Sequence, residues 1–165
     1  MKKAEIHPFP PVYDEQSEIL ILGSFPSVKS REENFFYGHP RNRFWQVTAA
    51  VFGEEVPKTV EEKKAFLLRN HIALWDVIAS CEIEGSADST IGSVIPNDLS
   101  VILSSAPIRA VFVNGRTAEK YYRLCTEKKT GRKAVCLPST SPANAALRLE
   151  DLIAAWRVIV LAAEK

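Results

Sequence analysis

The sequence predicts a three-layer α/β/α sandwich with a central, mostly parallel sheet of four strands. Four short segments are almost entirely apolar, as expected of strands buried on both faces, and they span 18–24, 71–78, 109–115 and 133–139. Helical patterns separate these segments along the chain. Strands that alternate with helices are typical of a parallel sheet with helices packed on both sides.

The helices are predicted from the spacing of their apolar residues. Segment 44–52 repeats apolar residues at helical spacing, and segment 59–70 opens with a capping box formed by Thr59 and Glu62. Segments 97–105 and 115–124 are shorter candidates. The last helix has the clearest pattern, with apolar positions at Leu149, Leu152, Ile153, Trp156, Ile159 and Val160.

Length and composition indicate one domain with a substantial core. The chain has 165 residues, of which 46% are hydrophobic, and it contains no repeat or linker, so a single domain over 1–165 is expected. The formal net charge of +1 excludes a global basic field that would draw the whole surface to nucleic acid. A nucleic-acid site would therefore be a local patch.

The cysteines and the N-terminus bear on metals and on location. Cys81, Cys125 and Cys136 are widely spaced, odd in number and without a CxxC pair, which argues against a disulfide framework or a zinc site. They are typical of thiols in a reducing compartment. The N-terminus has no apolar signal region and no run approaches a membrane span, so we expect a cytoplasmic protein without membrane association.

Polar and small residues follow each of the four predicted strands. In parallel sheets ligands bind beyond the carboxyl ends of the strands, so these loops are expected to form the site. They read GSFPS (23–27), WDV (75–77), NGR (114–116) and LPSTSPAN (137–144), and FFYGHPRNRFW (35–45) continues the first of them.

Several residues of these loops have both a structural and a functional interpretation. Asn42 stands where the N-cap of helix 44–52 is expected, and the aromatic residues 35–37 could close the core or offer a stacking face to a base. Ser141 before Pro142 predicts a helix start, which would also favour a phosphate. Arg41 and Arg43 could contact phosphates or form part of a solvated surface.

The ordered motifs GSFP, HPRNRFW, LWDV, GSADSTI, NDL, NG and LPSTSPAN resemble the DNA-deoxyinosine (hypoxanthine-DNA) glycosylase family of the uracil-DNA glycosylase superfamily. HPRNRFW is also similar to the mismatch-specific thymine/uracil branch. The resemblance covers roughly residues 16 to 160. Most relatives in the superfamily place Asp or Asn where this chain has Phe25, and some place His or Asn where it has Leu137. These departures shift the expected catalysis to Asn42, and the three cysteines exclude the four-cysteine iron–sulfur relatives.

The resemblance implies a monofunctional glycosylase that flips a deaminated base, above all hypoxanthine, out of DNA and hydrolyses its N-glycosidic bond. It implies a monomer that needs no cofactor and no metal, and DNA with a deaminated base as its partner. It assigns catalysis to Asn42. The implied base-binding residues are Gly23, Ser24, Phe25, Pro26, Tyr37, Asp76 and Asn114, and the implied DNA-binding residues are Arg41, Arg43, Ser139, Thr140, Ser141 and Asn144.

Three other functions fit the same sequence. The first is a uracil- or mismatch-specific DNA glycosylase, which Phe25 and Leu137 disfavour because they stand where such relatives place polar catalytic residues. A hydrolase of free nucleosides or nucleotides would use the same strand-end cleft but would not require the LPSTSPAN loop and its neighbouring arginines. A non-catalytic nucleic-acid-binding module would need neither Asn42 nor Asp76, and the presence of both disfavours it.

Overall fold

The computed structural model describes residues 2–163, which form two sheets and a set of short helices. The strands are β1 (Lys3–Ile6), β2 (Ile19–Gly23), β3 (Ile72–Asp76), β4 (Ile78–Ile83), β5 (Gly92–Pro96), β6 (Ala110–Asn114) and β7 (Ala134–Leu137). The helices are α1 (Val28–Glu33), α2 (Phe44–Phe52), α3 (Val60–Arg69), α4 (Ser100–Leu103), α5 (Arg116–Tyr121), α6 (Glu127–Thr130), α7 (Leu149–Trp156) and α8 (Val158–Ala163). A π-helical turn, Tyr122–Thr126, joins α5 to α6.

The central sheet consists of the four predicted strands in the order β3-β2-β6-β7, and all of its pairs are parallel. The predicted parallel four-stranded sheet is therefore confirmed. Its register places Gly23 beside Asp76 and Asn114 beside Leu137. The polar ends of the strands consequently lie along one edge of the sheet.

Alternate residues of each central strand point to opposite faces of the sheet, and each face has its own hydrophobic core. Ile19 and Ile21 pack with residues of α2, α3, α7 and α8, whereas Leu20 and Leu22 pack with residues of α4, α5 and β4. The three predicted layers are present. The second outer layer combines helices with a small sheet.

That small sheet was not predicted from the sequence. It is antiparallel and has the order β1-β4-β5, and β4 begins only one residue, Val77, after β3 ends. Most side chains of β1 are exposed, and β5 carries no buried residue. Hydrophobic periodicity could not reveal β1 and β5, because neither strand has a buried face.

Two predicted helices have different limits in the structure. The last helix divides at Arg157 into α7 and α8. The expected helix at Ser141 is only a 3₁₀ turn, Pro142–Asn144, in which Ser141 Oγ accepts a hydrogen bond of 3.1 Å from the backbone N–H of Ala143. A three-residue turn has no appreciable macrodipole, so the expected helix-dipole attraction for phosphate at this loop is wrong.

The remaining helix predictions are confirmed in part or in full. α2 and α3 lie where they were expected, and the capping box of Thr59 and Glu62 is formed. The candidates at 97–105 and 115–124 contain the shorter α4 and α5. No helix in residues 2–163 combines the length and apolarity that a membrane crossing requires.

Candidate active site

A cavity of about 320 Å³ opens at the carboxyl edge of the central sheet. This volume is at the lower end of the range for small-molecule sites. Most of the predicted site residues line it, namely Gly23, Ser24, Phe25, Pro26, Tyr37, Asn42, Asp76, Asn114, Ser139, Thr140 and Ser141. We call it the base cavity. The strand ends therefore converge as the sequence predicted.

A second, more open cavity of about 680 Å³ adjoins the base cavity. Both cavities share the lining residues Asp88, Asn114, Ser139, Ser141 and Ala143. The larger one extends past Arg116 to Asn144, so the two form a continuous cleft along the LPSTSPAN loop.

Asn42 is held in one orientation by its amide oxygen. Oδ1 accepts a hydrogen bond of 2.9 Å from the backbone N–H of Phe44 and another of 2.9 Å from Oγ1 of Thr140. A backbone N–H can only donate, so the oxygen of the amide must face it. Nδ2 has no hydrogen-bond partner within the described part of the chain and is the group that remains available at the base cavity.

The predicted capping role of Asn42 is thus compatible with a catalytic one. The N-cap position of α2 is Arg43, whose side chain makes no capping bond, and the oxygen of Asn42 instead satisfies the N–H of Phe44 at the first turn. The structural task uses the oxygen of the amide. The NH₂ group of the amide takes no part in this structural task.

Thr140 and Asn114 support Asn42 from behind. Asn114 Nδ2 donates to Thr140 Oγ1 over 3.0 Å, and the backbone N–H of Thr140 donates to Asn114 Oδ1 over 3.1 Å. Thr140 is fully buried. The end of β6, the LPSTSPAN loop and the loop before α2 are therefore joined by one hydrogen-bond network.

Asp76 lies at the base of the cavity and is buried, with 3% of its surface exposed. Its Oδ1 and the hydroxyl of Tyr37 both approach Gly23 so closely that a Cβ at that position would clash with the carboxylate and lie 2.9 Å from the hydroxyl. Only glycine leaves room for both groups at the end of β2. This explains in physical terms why GSFP begins with glycine.

Tyr37 has an unusual backbone conformation and contributes a hydroxyl to the cavity. Its φ is 52°, and its ring stacks on Phe44 with a centroid distance of 4.1 Å. Burial raises the pKa of Tyr37, and the nearby charge of Asp76 raises it further, so the hydroxyl keeps its proton. This oxygen is buried and makes no hydrogen bond of standard geometry in residues 2–163, although the amide of Asn114 is near enough to lower the pKa slightly. An amide N–H can only donate to the oxygen, so the hydroxyl proton remains available for donation.

The aromatic residues of the cavity divide between wall and core. Phe25 is 8% exposed and lines the cavity, so it is placed to contact a base. The guanidinium of Arg31 lies 5.5 Å from the centre of the Phe25 ring. Phe35 and Phe36 both belong to the hydrophobic core. Phe36 also lines the cavity, whereas Phe35 does not.

Three of the residues predicted to bind DNA do not line the base cavity. Arg41 is exposed, and its backbone N–H donates to Nδ1 of His39. The guanidinium of Arg43 donates to the carbonyl oxygens of Leu147 and Asn144, at 2.7 and 3.1 Å. Asn144 Nδ2 donates to the carbonyl of Ser139. Arg43 and Asn144 therefore shape the LPSTSPAN loop, and contact of these residues with DNA stays a prediction.

Two residues close to Asp76, His7 and Asp88, were not predicted from the sequence. Nε2 of His7 lies 2.8 Å from Oδ2 of Asp76, although the two residues are 69 positions apart. Asp88 lines both cavities, and much of its surface is exposed. The pKa of its carboxyl is nevertheless raised, first because part of the group is shielded from solvent and then because of the nearby charge of Asp76. The only signals were a histidine isolated among apolar residues in IHPFP and the acid of GSADSTI.

The cavity offers a defined set of chemical groups. Asp76 supplies an acceptor, Tyr37 and Asn42 supply donors, and Phe25 supplies a flat apolar wall. In residues 2–163 no lysine lines the base cavity, and no cluster of three or more His, Cys, Asp or Glu side chains could hold a metal ion. These groups are suited to binding a planar polar ring.

A polar pocket at the carboxyl ends of a parallel sheet is typical of α/β proteins that bind a ligand, and this chain belongs to that class. The family model of the uracil DNA glycosylase superfamily matches residues 10–159. The chain belongs to the uracil DNA glycosylase superfamily, and the resemblance inferred from its motifs is confirmed.

Two curated relatives are described as hypoxanthine DNA glycosylases. The one from Methanosarcina acetivorans is 42% identical over 138 residues, which cover 82% of this chain and 86% of the relative. The one from Methanosarcina barkeri is 36% identical over 138 residues, with the same coverage. A solution NMR structure of a Methanosarcina acetivorans protein, described as a candidate uracil DNA glycosylase, has a TM-score of 0.81 and 37% identity. It covers 95% of this chain and 97% of that one.

Proposed function

We propose that the protein is a single-domain, monofunctional DNA glycosylase that excises hypoxanthine from deoxyinosine in DNA. The observation that carries the proposal is the pairing of the Asp76 acceptor with the Asn42 donor in one base-sized cavity. The relatives described as hypoxanthine DNA glycosylases support the same substrate. The reaction leaves free hypoxanthine and an abasic site.

The polar groups of the cavity match the pairing edge of hypoxanthine. Hypoxanthine presents an N–H donor at N1 and an oxygen acceptor at O6, whereas adenine presents an acceptor at N1 and an amino donor at N6. The carboxylate of Asp76 accepts a hydrogen bond from N1–H, and the protonated hydroxyl of Tyr37 donates to O6. Adenine would set its N1 lone pair against the carboxylate.

Base flipping brings the nucleotide into the cavity. A base must leave the helical stack before its C1′ can be reached, at a cost of a few kcal/mol that is smaller for weakly paired, deaminated bases. Phe25 then stacks against the base. The backbone N–H groups near Gly23 and Ser24 stabilise negative charge on its oxygen.

Hydrolysis breaks the bond between C1′ and the base nitrogen. The bonding electrons leave with the base, C1′ acquires oxocarbenium character, and the oxygen of a water molecule adds to C1′. The proton that this water loses is balanced by the proton that the departing base anion gains, so neutral hypoxanthine and an abasic site result. Both lone pairs of Asn42 Oδ1 are occupied, so Asn42 orients this water by donation from Nδ2. Within residues 2–163 no lysine that could form a Schiff base lines the base cavity, which supports a glycosylase without lyase activity.

DNA is held by a local surface around the cleft. This surface includes exposed Arg41, the hydroxyls of Ser139 and Ser141, and the larger cavity beside the LPSTSPAN loop. With roughly three to five phosphate contacts, the logarithm of duplex affinity should fall with the logarithm of salt concentration at a slope of about −3 to −5. A slope near zero would favour a hydrolase of free nucleosides.

A panel of duplexes, each with a single hypoxanthine, uracil, xanthine or mismatched thymine, tests the proposal directly. We expect alkali-dependent strand cleavage that is fastest at hypoxanthine and unaffected by a chelator. Strand cleavage without alkali would reveal lyase activity, and preference for uracil or thymine would indicate the mismatch-specific alternative. Binding without release of any base would identify a non-catalytic module.

We also propose that the protein is a cytoplasmic monomer. The groups assigned to base recognition and catalysis, Asp76, Tyr37 and Asn42, all come from the same chain, which is consistent with a monomer. The three cysteines of the protein are free thiols, which suits a reducing compartment. Light scattering across a range of concentrations would test the monomer, because a mass that rises with concentration would indicate self-association.

A further inference from the structure

His7 forms a buried pair with Asp76 directly behind the base cavity. Its side chain is 4% exposed and that of Asp76 is 5% exposed, and Nε2 lies 2.8 Å from Oδ2. The backbone N–H of His7 donates to the carbonyl of Ala79 over 2.7 Å, which fixes this residue against β4. His7 does not itself line the cavity.

Aromatic rings enclose the imidazole of His7 on its other sides. The ring centres of Phe9, Phe36 and Phe25 lie 4.5, 6.0 and 6.1 Å from that of His7. Within residues 2–163, Nδ1 is buried without a hydrogen-bond partner. Asp76 is therefore the polar group toward which the imidazole is directed.

The contact dictates which nitrogen carries the proton. An ionised carboxylate only accepts hydrogen bonds, so Nε2 must bear hydrogen, as it does in the Nε2–H tautomer of neutral imidazole. Placing hydrogen on Nδ1 would bury an unsatisfied donor among the three rings. One carboxylate oxygen, Oδ2, is thereby paired with His7, and the other, Oδ1, lies at Gly23 beside the hydroxyl of Tyr37.

We infer that His7 is a positioning residue for base recognition, which locks the Asp76 carboxylate so that Oδ1 faces the base as a pure acceptor. This inference rests on the proposed function and adds a residue to it. Without the N–H of His7, Oδ2 would be a buried oxygen without a donor, and the carboxylate could turn away from the position in which Oδ1 faces the base. A carboxylate that is no longer held would distinguish less well between the N1–H of hypoxanthine and the N1 lone pair of adenine, so selectivity for hypoxanthine would decline together with rate.

The test compares His7→Phe, which keeps an aromatic ring and removes the N–H, with His7→Gln, whose side-chain amide can donate in place of Nε2. We expect His7→Phe to lower the single-turnover rate constant on deoxyinosine duplex by about 10-fold or more. His7→Gln should stay within a few-fold of the parent. His71→Asn changes a histidine at the opposite edge of the sheet and should leave the rate unchanged, with thermal melts of all variants as the folding control.

Base selectivity separates positioning from a merely structural role. In His7→Phe the ratio of hypoxanthine to adenine excision should fall, because the Asp76 carboxylate is no longer held with Oδ1 toward the base. A general loss of stability would lower both rates without changing their ratio. A folded His7→Phe protein with the parent's rate and selectivity would overturn the inference.

Nitrogen NMR of the parent protein gives a readout that needs no substrate. Comparison with His7→Gln assigns the His7 signals, which should show hydrogen on Nε2 and a bare Nδ1, and Asp76→Asn should perturb them. The Nδ1–H tautomer would overturn the inference even if His7→Phe failed to fold. A parent protein that shows the expected tautomer but releases no hypoxanthine would instead reject the proposed function.

Discussion

The hydroxyl of Thr140 donates a hydrogen bond of 2.9 Å to the amide oxygen of Asn42 and so links two loops that are 98 residues apart in the chain. The same hydroxyl accepts from Asn114. The orientation of the proposed catalytic amide therefore depends on a buried threonine of the LPSTSPAN loop.

Replacement of Thr140 by valine should weaken both stability and catalysis. Valine has nearly the same shape but leaves Asn114 Nδ2 without its acceptor and Asn42 Oδ1 with one donor fewer, at a cost of about 1–3 kcal/mol in unfolding free energy. Thr140→Ser keeps the hydroxyl and is the matched control. Chemical denaturation and single-turnover rates would be measured on both, and equal values for the two variants would refute the network's role.

Substitutions of Asn42 separate its two functional groups. Asn42→Asp keeps an acceptor for Phe44 and Thr140 but removes Nδ2, so the melting temperature should hold while excision falls about 100-fold or more, as when a single catalytic donor is lost. Asn42→Ala should in addition lose about 0.5–2 kcal/mol of stability with the capping bond. If Asn42→Ala melts earlier and yet excises hypoxanthine at the parent rate, Asn42 is only structural.

Asp76 is expected to control the choice of base. Asp76→Asn can still accept from His7 but presents a weaker, neutral partner to the base, and a hydrogen bond to a charged group is worth about 1.5–3 kcal/mol, so excision should slow roughly 10- to 150-fold. Asp76→Ala should lose a similar rate and also destabilise the fold, because it strips His7 of its partner. Parent-like rates in a normally folded Asp76→Asn protein would remove Asp76 from recognition.

Gly23 should tolerate no side chain. Alanine at this position would place its Cβ against Asp76 and Tyr37, and overpacking of this kind costs about 1–3 kcal/mol while displacing both polar groups. Gly92→Ala is the control, because its Cβ would meet only the flexible end of Lys2 at 3.5 Å. A Gly23→Ala protein as stable and as active as Gly92→Ala would show that the convergence at Gly23 is unimportant.

The ion pair between Glu54 and Arg69 should make stability depend on pH. Hydrogen bonding by Arg69, aided by Asn70, lowers the pKa of Glu54 in the folded state. Its contribution is therefore fully present above the unfolded pKa of about 4.3 and is lost as pH falls through the lower folded value.

Glu54→Gln should accordingly reduce the melting temperature near neutral pH, by an amount that corresponds to less than about 1 kcal/mol because Arg69 is largely exposed. The difference from the parent should disappear in acid. Glu55→Gln, at the exposed neighbouring residue, is the control. An equal deficit at every pH would contradict the electrostatic explanation.

The central sheet could be predicted because burial on both faces leaves a nearly unbroken apolar run, as in Ile19–Gly23. The convergence of Gly23, Asp76 and Asn114 followed from that sheet, since the carboxyl ends of parallel strands meet at one edge. The capping box of α3 was recognisable because both of its bonds are local. Each of these predictions needed only short-range pattern or topology.

His7 could not be placed in the same way. Its position depends on the pairing of β1 with β4, and the Lys3–Ile6 strand has mainly exposed side chains, so the short alternation of polar and apolar residues in KAEI marks no buried face. The orientation of Asn42 was equally hidden, because it depends on a hydroxyl far away in the sequence. Contacts between distant side chains carry no periodic signal.

The single residue between β3 and β4 has a consequence for how the molecule is assembled during synthesis. Val77 passes the chain directly from the parallel sheet to the antiparallel one. β1 can pair only after the later β4 has been synthesised, and β2 gains its second neighbour only with β6. Closing such distant pairings is slow. The base cavity is therefore a late product of folding, completed only when segments as distant as Gly23 and Ala143 have come together.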